Sequence, residues 1–210
     1  MPEAAIRMHR PEAVEIAKAF VAEIEGCCDR LVVAGSLRRR LAYVGDIEIV
    51  CTPTVDTVDL AVPEMFGERV QRLRKDRLNV RLEQMLELGE VSKRVDKNGA
   101  TRWGPAIKLL EFRGAPIDLF APAEPERFGW ILVLRTGPAA FARQLVLPIK
   151  DDLGRPRRTK DGRPGLLPVG LRPRDGWLTR PASAERLPTP DETDVFALYD
   201  LPYREPWERT

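Results

Sequence analysis

Cysteine and histidine are scarce in this sequence, which contains three cysteines and one histidine in 210 residues. Cys27 and Cys28 are adjacent, and no second pair accompanies them. Zinc sites draw on several cysteines or histidines at defined spacings, so this odd and sparse set does not form one. It predicts reduced thiols, as in a cytoplasmic protein. His9 precedes the first predicted helix, and we interpret it as a surface residue rather than a catalytic one.

Long hydrophobic runs and a strong net charge are also missing. No apolar stretch approaches the ~20 residues of a membrane span, and the N-terminus lacks the hydrophobic core of a signal peptide, so we expect no membrane partner. Lys and Arg number 34 against 32 Asp and Glu, a net charge of +2, which excludes a global cationic field. Nucleic-acid binding would therefore depend on local basic clusters, which are Arg38–Arg40, Arg69–Arg77 and Arg155–Arg163. We interpret Arg69–Arg77 as a solvated surface.

Apolar residues make up 43% of the chain, enough for a core in one domain or in a domain with a smaller appendage. Hydrophobic periodicity and the Gly and Pro breaks predict the elements below. The predicted helices are Pro11–Glu25, Pro63–Leu88, Glu124–Arg135, Ala139–Leu147 and one that begins with a capping box at Thr189–Glu192. The predicted strands start near Leu31 and continue with Gly45–Cys51, Ala106–Phe112, Ile117–Ala121, Leu166–Val169 and Trp177–Thr179. The charged segment Lys150–Gly165 is predicted to be an exposed loop or a mobile hairpin.

The stretch Val32–Cys51 contains a pair of carboxylates at strand spacing. Side chains alternate between the two faces of a strand, so Asp46 and Glu48 project from the same face. Adjacent carboxylates repel each other and lose solvation when buried, and a divalent cation bound by oxygen ligands offsets both effects. The alternative is the solvated face of an antiparallel sheet, where acidic residues are ordinary.

The residues that precede this pair favour phosphate chemistry. A Gly35-Ser36 turn after a buried strand lets backbone N–H groups and a hydroxyl approach a phosphate closely. The arginines that follow can bind phosphate oxygens two at a time. Further along the chain, Asp118 stands between two apolar residues, a costly position unless something pairs with it. Anion-binding groups beside carboxylates are the parts of a phosphoryl- or nucleotidyl-transfer site.

Four segments resemble a known family. The motif G-S-x-R-R at Gly35–Arg39, followed by G-D-I-E-I at Gly45–Ile49, resembles the signature of the nucleotidyltransferase superfamily, and of its X-family DNA polymerases in particular. Pro116–Phe120 is similar to the strand that carries the third carboxylate of that family. Phe128–Gly137 resembles its helix and T-G turn. Leu187–Pro206 closely resembles the end of polymerase beta, so the resemblance reaches from about the first helix to the last residues.

The resemblance implies an α+β fold with two parts. Residues 1–148 would form a nucleotidyltransferase palm, a mixed or antiparallel sheet with helices on one face, and residues 149–210 a small C-terminal α+β subdomain at the nucleotide pocket. It implies a metal-dependent enzyme, a minimal DNA polymerase that adds nucleotides from nucleoside triphosphates to a primer–template or DNA 3′ end and releases pyrophosphate. Its cofactors would be two Mg²⁺ ions, for which Mn²⁺ can substitute. We expect a monomer without the family's N-terminal DNA-binding domains.

The same resemblance assigns roles to individual residues. The carboxylates Asp46, Glu48 and Asp118 would be the catalytic metal ligands, and Asp118 would touch only the ion that activates the 3′-hydroxyl. The nucleotide-binding positions would be Gly35, Ser36, Arg39, Gly45, Thr136 and Gly137. The residues expected to contact DNA are Arg143, Arg155, Arg157 and Arg158.

Several positions depart from the family pattern. Glu48 stands where an aspartate is usual, which changes the spacing of the metal ligands by one methylene. Pro116 replaces an arginine, so we expect the third carboxylate to lose a charge partner. Leu134-Arg135 replaces an aromatic pair beside the sugar, which predicts weak sugar selectivity. Ala142 and Val146 stand where the family contacts the incoming base and the template.

Two alternatives remain open. One is a template-independent nucleotidyltransferase that modifies an RNA end, a protein or a small molecule. The other is a non-catalytic palm that only binds nucleic acid or a partner protein. The polymerase-like C-terminus argues against the first, and the presence of three carboxylates argues against the second.

Overall fold

The computed structural model describes residues 7–64 and 67–209, and these residues form an α+β fold, as expected. The strands are β1 (Met8–His9), β2 (Cys28–Val33), β3 (Tyr43–Val44), β4 (Ile47–Pro53), β5 (Val55–Glu64), β6 (Gly67–Asp76), β7 (Val91–Lys93), β8 (Ile107–Phe112), β9 (Ala115–Phe120), β10 (Arg172–Arg174), β11 (Trp177–Arg180) and β12 (Glu185–Leu187). The α-helices are α1 (Arg10–Ile24), α2 (Gly35–Arg38), α3 (Arg77–Glu87), α4 (Phe128–Thr136), α5 (Ala139–Val146) and α6 (Glu192–Leu198).

A five-stranded mixed sheet, in the order β2-β4-β9-β8-β7, forms the centre of the fold. β4 pairs antiparallel with β2 and parallel with β9, and β8 pairs antiparallel with β9 and β7. The strands predicted over Gly45–Cys51, Ala106–Phe112 and Ile117–Ala121 are confirmed to within two residues. Their alternating or apolar patterns are local, so sequence alone was sufficient to find them.

The alternation along β4 separates two buried faces. Ile47, Ile49 and Cys51 are fully buried in one apolar cluster with residues of α1 and α3. Val50 faces the other way and is buried with Phe128 of α4. Helices therefore cover both faces of the sheet, where we expected them on one face only. The apolar side chains at the odd and even positions of β4 both need a covering layer.

The helix predicted over Pro63–Leu88 is wrong in its first half. The chain instead forms a two-stranded antiparallel hairpin of β5 and β6, and the helix starts only after Asp76, whose side chain caps α3. In the hairpin, Arg72 donates a hydrogen bond of 3.0 Å to Asp59 in the facing position, and apolar residues also face each other. Such cross-strand pairs stabilise a hairpin, but periodicity within one segment does not show them. Residues 65–66 of the predicted helix lie outside the described residues.

The C-terminal part contains a small antiparallel sheet, β10-β11-β12. The strand predicted over Trp177–Thr179 is confirmed as β11. The strand predicted over Leu166–Val169 is wrong, because Leu167 makes only an isolated bridge with Pro148 before the chain turns towards β10. The loop predicted over Lys150–Gly165 contains no helix or strand and is mostly exposed.

The capping box predicted at Thr189 lies two residues further on. Asp191 caps α6, and its side chain and that of Asp194 bond reciprocally to the backbone of the first turn. The Thr189 carbonyl accepts a hydrogen bond of 2.8 Å from the N–H of Gly129. This contact holds Thr189 beside α4, outside the helix that follows it.

Within residues 7–64 and 67–209, every helix is too short or too polar to cross a lipid bilayer.

Candidate active site

The strand pairing brings two of the predicted carboxylates face to face. Glu48 of β4 and Asp118 of β9 occupy directly opposite positions on adjacent parallel strands, which lie about 4.8 Å apart in a sheet. Asp46 precedes Glu48 by two residues, and its charge acts on both of the others. All three carboxylates are half-buried. They gather on the face of the sheet that α4 covers.

This arrangement is electrostatically unfavourable for the isolated chain. Burial raises the pKa of Glu48 to about 8, and the charge of Asp46 adds to the rise, against the opposing effect of Arg135 and Arg39. Burial also raises the pKa of Asp118. The nearby arginines therefore do not fully offset the cost of ionising these carboxyl groups. The site favours either a bound proton or an added cation.

Gly35 packs directly on the Glu48 carboxylate. Its φ is +64°, and a Cβ at this position would overlap a Glu48 carboxylate oxygen, so only glycine fits. The N–H of Ala34 donates to the Glu48 carbonyl at 2.7 Å. The predicted Gly-Ser turn is one turn of helix, α2, and its first residue lies against the candidate metal ligand.

Ser36 and Gly45, both predicted to bind nucleotide, differ in what surrounds them. The Ser36 hydroxyl is buried and has no hydrogen-bond partner among the described residues. Such a group is costly unless a ligand satisfies it, which agrees with a phosphate contact. Gly45 is exposed, with open space around its α-carbon, and nothing in the structure explains why glycine stands there.

The Thr136-Gly137 turn lies against the arginines that follow Ser36. Arg38 donates a hydrogen bond of 2.8 Å to the Thr136 hydroxyl, and Arg39 donates to the Thr136 carbonyl. A Cβ on Gly137 would come within 3.0 Å of a guanidinium nitrogen of Arg39, and the φ of Gly137 is +64°. These contacts hold the end of α2 against the end of α4, although the two are about a hundred residues apart in the chain.

A buried carboxylate that sequence reasoning missed fixes the position of Arg38. Glu192 accepts hydrogen bonds of 2.8 and 2.7 Å from Arg38 and one of 2.8 Å from Arg209. The Arg209 side chain is fully buried and that of Glu192 is 6% exposed. Burial alone would raise the pKa of Glu192, but the hydrogen bonds from both arginines outweigh it and hold the pKa below its ordinary value. Glu192 and Arg38 are 154 residues apart, so no local pattern reveals the pair.

Two further arginines accompany the strand carboxylates. From the resemblance at Pro116, we expected Asp118 to lose its charge partner. That expectation is wrong, because Arg94, just after β7, donates a hydrogen bond to Asp118. Arg135 lies with its guanidinium 3.9 Å from the centre of the Phe120 ring and within the field of both strand carboxylates. Sequence offers no signal for Arg94, which reaches Asp118 only through the pairing of the strands.

The donor atoms at this site are of the kind that Mg²⁺ prefers, since all are oxygens. As the side chains stand, no group of three or more Asp, Glu, His or Cys residues in the described part of the chain is arranged to hold a metal ion. Asp46 and Glu48 are suited to bind a cation, because a bound positive charge would lower the raised pKa of Glu48 and so stabilise its ionised form. Asp118 would have to share its carboxylate with Arg94 to join them.

The four arginines predicted to contact DNA lie apart from these groups, on α5 and in the loop after it. Arg143 and Arg155 form ion pairs with aspartates at 3.6 and 2.7 Å, and Arg158 donates to a backbone carbonyl of its own loop. Arg157 lines a cavity of about 660 Å³. Three of the four therefore already have partners within the protein. Their role in DNA binding stays a prediction.

Comparison of the chain with models of known protein families finds no match, and comparison with curated proteins finds none either. The geometry of the site must therefore support any functional assignment.

Proposed function

We propose that this protein is a nucleotidyltransferase with a palm of the X-family DNA polymerase type. It adds nucleotides from nucleoside triphosphates to a DNA 3′ end and releases pyrophosphate. The observation that carries the proposal is the position of Glu48 directly opposite Asp118 on parallel strands, with Asp46 beside them. The Ser36 hydroxyl supports it, because this buried group has no partner among the described residues and is free to donate a hydrogen bond to a phosphate.

The three carboxylates would hold Mg²⁺, which supplies Lewis-acid stabilisation of the transferring phosphoryl group and lowers the pKa of the attacking hydroxyl. Residues of this chain bind and orient the substrate. Ser36 donates to a phosphate oxygen, and Arg39 stabilises the negative charge that develops on the departing pyrophosphate. Arg38, anchored by Glu192, holds the Thr136 turn in place, and that turn would lie beside the sugar and base.

Extension of a labelled DNA primer tests the proposal. Each dNTP and rNTP is offered with and without template, in Mg²⁺ and in Mn²⁺. We expect extension by the wild-type chain. Asp118→Ala should lower the rate by ~10³-fold or more, because it removes one ligand of the cation that activates the hydroxyl.

Glu87→Ala is the matched control, because Glu87 is an exposed carboxylate near the end of α3. It should extend primers like the wild type. A folded Asp118→Ala variant with near wild-type extension would contradict the carboxylate assignment. A wild-type chain that extends no primer under any of these conditions would contradict the proposed reaction itself. Extension that is independent of template would show that the chain adds nucleotides to a DNA 3′ end without copying a template.

A further inference from the structure

Three arginines that sequence reasoning did not single out share the outer face of the small sheet. Arg172 of β10 and Arg186 of β12 both lie opposite Thr179 of β11, so they form a row across the three strands. Arg174 lies two residues after Arg172 and projects from the same face. All three arginines are exposed. We refer to Arg172, Arg174 and Arg186 as the arginine face.

The charges of the arginine face are poorly compensated within the described part of the chain. The ion pairs of this sheet are Arg174–Asp175, at 3.5 Å with side chains 78% and 80% exposed, and Arg180–Glu185. Exposed pairs of this kind contribute little, and neither engages Arg172 or Arg186. The sheet thus presents three cations together, and they line a cavity of about 480 Å³.

Two further cavities share lining residues with the cavity of the arginine face. A cavity of about 290 Å³ is lined by Arg135 and Phe120 at the site and by Asp175 in the β10–β11 turn. Asp175 also lines the cavity of the arginine face. Arg172 also lines the cavity of about 660 Å³ that is lined by Arg157 in the Lys150–Gly165 loop. Shared lining residues therefore link Arg135, which lies near the carboxylates, to the small sheet, and the small sheet to that loop.

We propose that the arginine face binds the phosphate backbone of a nucleic-acid strand that runs into the candidate active site. A row of cations along a groove matches a polymer with one negative charge per nucleotide. Contacts with phosphates position a strand without reading its bases, so binding does not depend on sequence. This inference rests on the proposed function, because the arginine face would bind the nucleic acid on which that function acts. It also lies on different elements from the predicted DNA contacts Arg143, Arg155, Arg157 and Arg158, which belong to α5 and the loop after it.

The test is the affinity of the chain for a fluorescent oligodeoxynucleotide, measured by anisotropy at several salt concentrations. EDTA is present and nucleotides are absent, so the result does not depend on catalysis. Changing Arg172, Arg174 and Arg186 together to Ala should lower the slope of log affinity against log salt by about 2, since each lost contact with a single strand removes about 0.7. Near 0.1 M salt the affinity should fall by about 100-fold.

The matched control changes Arg72, Arg74 and Arg113 to Ala, which removes the same charge from exposed positions off this path. It should keep most of the salt slope. Equal slopes for the two triple variants would overturn the inference. Polyglutamate is the competitor, added at the same concentration of negative charges as the oligonucleotide. If it displaces the oligonucleotide, the surface binds any polyanion and the inference is overturned.

A second measurement needs no variant and covers the case of a triple variant that does not fold. Phenylglyoxal modifies exposed arginines, and mass spectrometry locates the products. The oligonucleotide should protect Arg172, Arg174 and Arg186 in the wild-type chain and leave Arg74 and Arg113 reactive. Unchanged modification of the arginine face would overturn the inference. If the chain extends primers but the triple variant binds DNA as tightly as the wild type, only the arginine face is refuted. If the triple variant loses DNA affinity but the wild type extends no primer, only the proposed reaction is refuted.

Discussion

At Glu48 a carboxyl group lies on the sheet face that α4 covers, packed on Gly35 and opposite Asp118. Its pKa of about 8 means that the metal-free protein keeps it protonated near neutral pH. An unfolded chain would ionise the same group near its ordinary value of 4.5. The folded state therefore binds one more proton than the unfolded state between these two values. Asp118, whose pKa is raised by burial, acts in the same direction.

The free energy of unfolding should consequently fall as pH rises from about 5 to 8 in the presence of EDTA. The contribution of Glu48 to stability is present below its unfolded pKa and is lost as pH rises towards its folded pKa. The limiting slope for one such group is about 1.4 kcal/mol per pH unit. Urea denaturation at a series of pH values measures it, and Mg²⁺ should recover stability most at the alkaline end.

Glu48→Gln should flatten this dependence, because glutamine does not titrate. Glu87→Gln, at an exposed position on α3, is the matched control and should leave it unchanged. Parallel curves for the wild type and Glu48→Gln over this pH range would show that Glu48 ionises normally in the fold.

Arg135 supports a second prediction at the scale of single residues. Its guanidinium lies over the Phe120 ring, and under the proposed function Leu134-Arg135 would replace an aromatic pair beside the sugar. Without that aromatic pair, the wild type should discriminate against ribonucleotides by less than ~10⁴-fold, a gap of about 5.5 kcal/mol. Single-nucleotide insertion with matched dNTP and rNTP gives this ratio as a quotient of kcat/KM values.

Arg135→Phe should increase the discrimination, and Arg135→Lys, which keeps the charge, should change it less. A wild-type ratio above ~10⁴ would mean that another group gates the sugar. An unchanged ratio in Arg135→Phe would remove residue 135 from the sugar pocket.

Local patterns were enough to single out the three carboxylates, but the pairing of β4 with β9 that places Asp118 opposite Glu48 is not local. Asp46 and Glu48 alternate with apolar residues, and Asp118 interrupts an apolar strand, so each pattern is visible within a few residues. Arg94 and Glu192 were not predictable in this way. They reach their partners through strand pairing and through the docking of α6, across 24 and 154 residues of chain.

At the scale of elements, α2 and α6 are joined by the buried Arg38–Glu192–Arg209 cluster. Glu192→Gln leaves two guanidinium groups without their carboxylate, one of them fully buried. Breaking a buried ion pair by removing one partner costs about 3–5 kcal/mol, and we expect a loss of that size in the free energy of unfolding. Affinity for nucleoside triphosphate should fall as well, because Arg38 also holds Thr136.

Glu185→Gln is the matched control for this substitution. Glu185 pairs with Arg180 at 2.7 Å, but both side chains are about half exposed, and such a pair contributes less than about 1 kcal/mol. Equal destabilisation by the two substitutions, measured by urea denaturation, would show that the buried cluster does not hold the elements together.

The elements that were predicted wrongly depend on contacts with other segments of the chain. α3 has an aspartate cap and an apolar stripe, and it coincides with the second half of the helix predicted over Pro63–Leu88. The β5–β6 hairpin has apolar residues at spacings that fit a helix as well as a strand, so periodicity alone assigned the wrong element. The start of α6 moved from Thr189 to Asp191, because the backbone of Thr189 is engaged by Gly129 and Glu126.

At the scale of the whole molecule, three apolar clusters organise the described chain. The first surrounds one face of the central sheet, and the second joins α4 and α5 to the small sheet and α6. The third, with Phe128 and Leu132 of α4, lies between them against Val50 and Phe120. The division into residues 1–148 and 149–210 stays a prediction. The structure adds that α4 and α5, assigned to the first part, share a cluster with the second.

Because Phe128 is fully buried in the third cluster and Arg30 lies 4.1 Å from the centre of its ring, we expect the two larger clusters to unfold together. Phe128→Ala should lower the free energy of unfolding by about 3–5 kcal/mol, the usual cost of deleting a buried ring. It should also separate the hydrogen exchange of β9 from that of α6, which in the wild type should report one common opening free energy. Leu88→Ala is the control, since Leu88 is 70% exposed and its loss should change stability by less than about 0.5 kcal/mol. Two separate transitions in the wild-type chain, seen by calorimetry or by unequal exchange of β9 and α6, would show that the third cluster does not couple the other two.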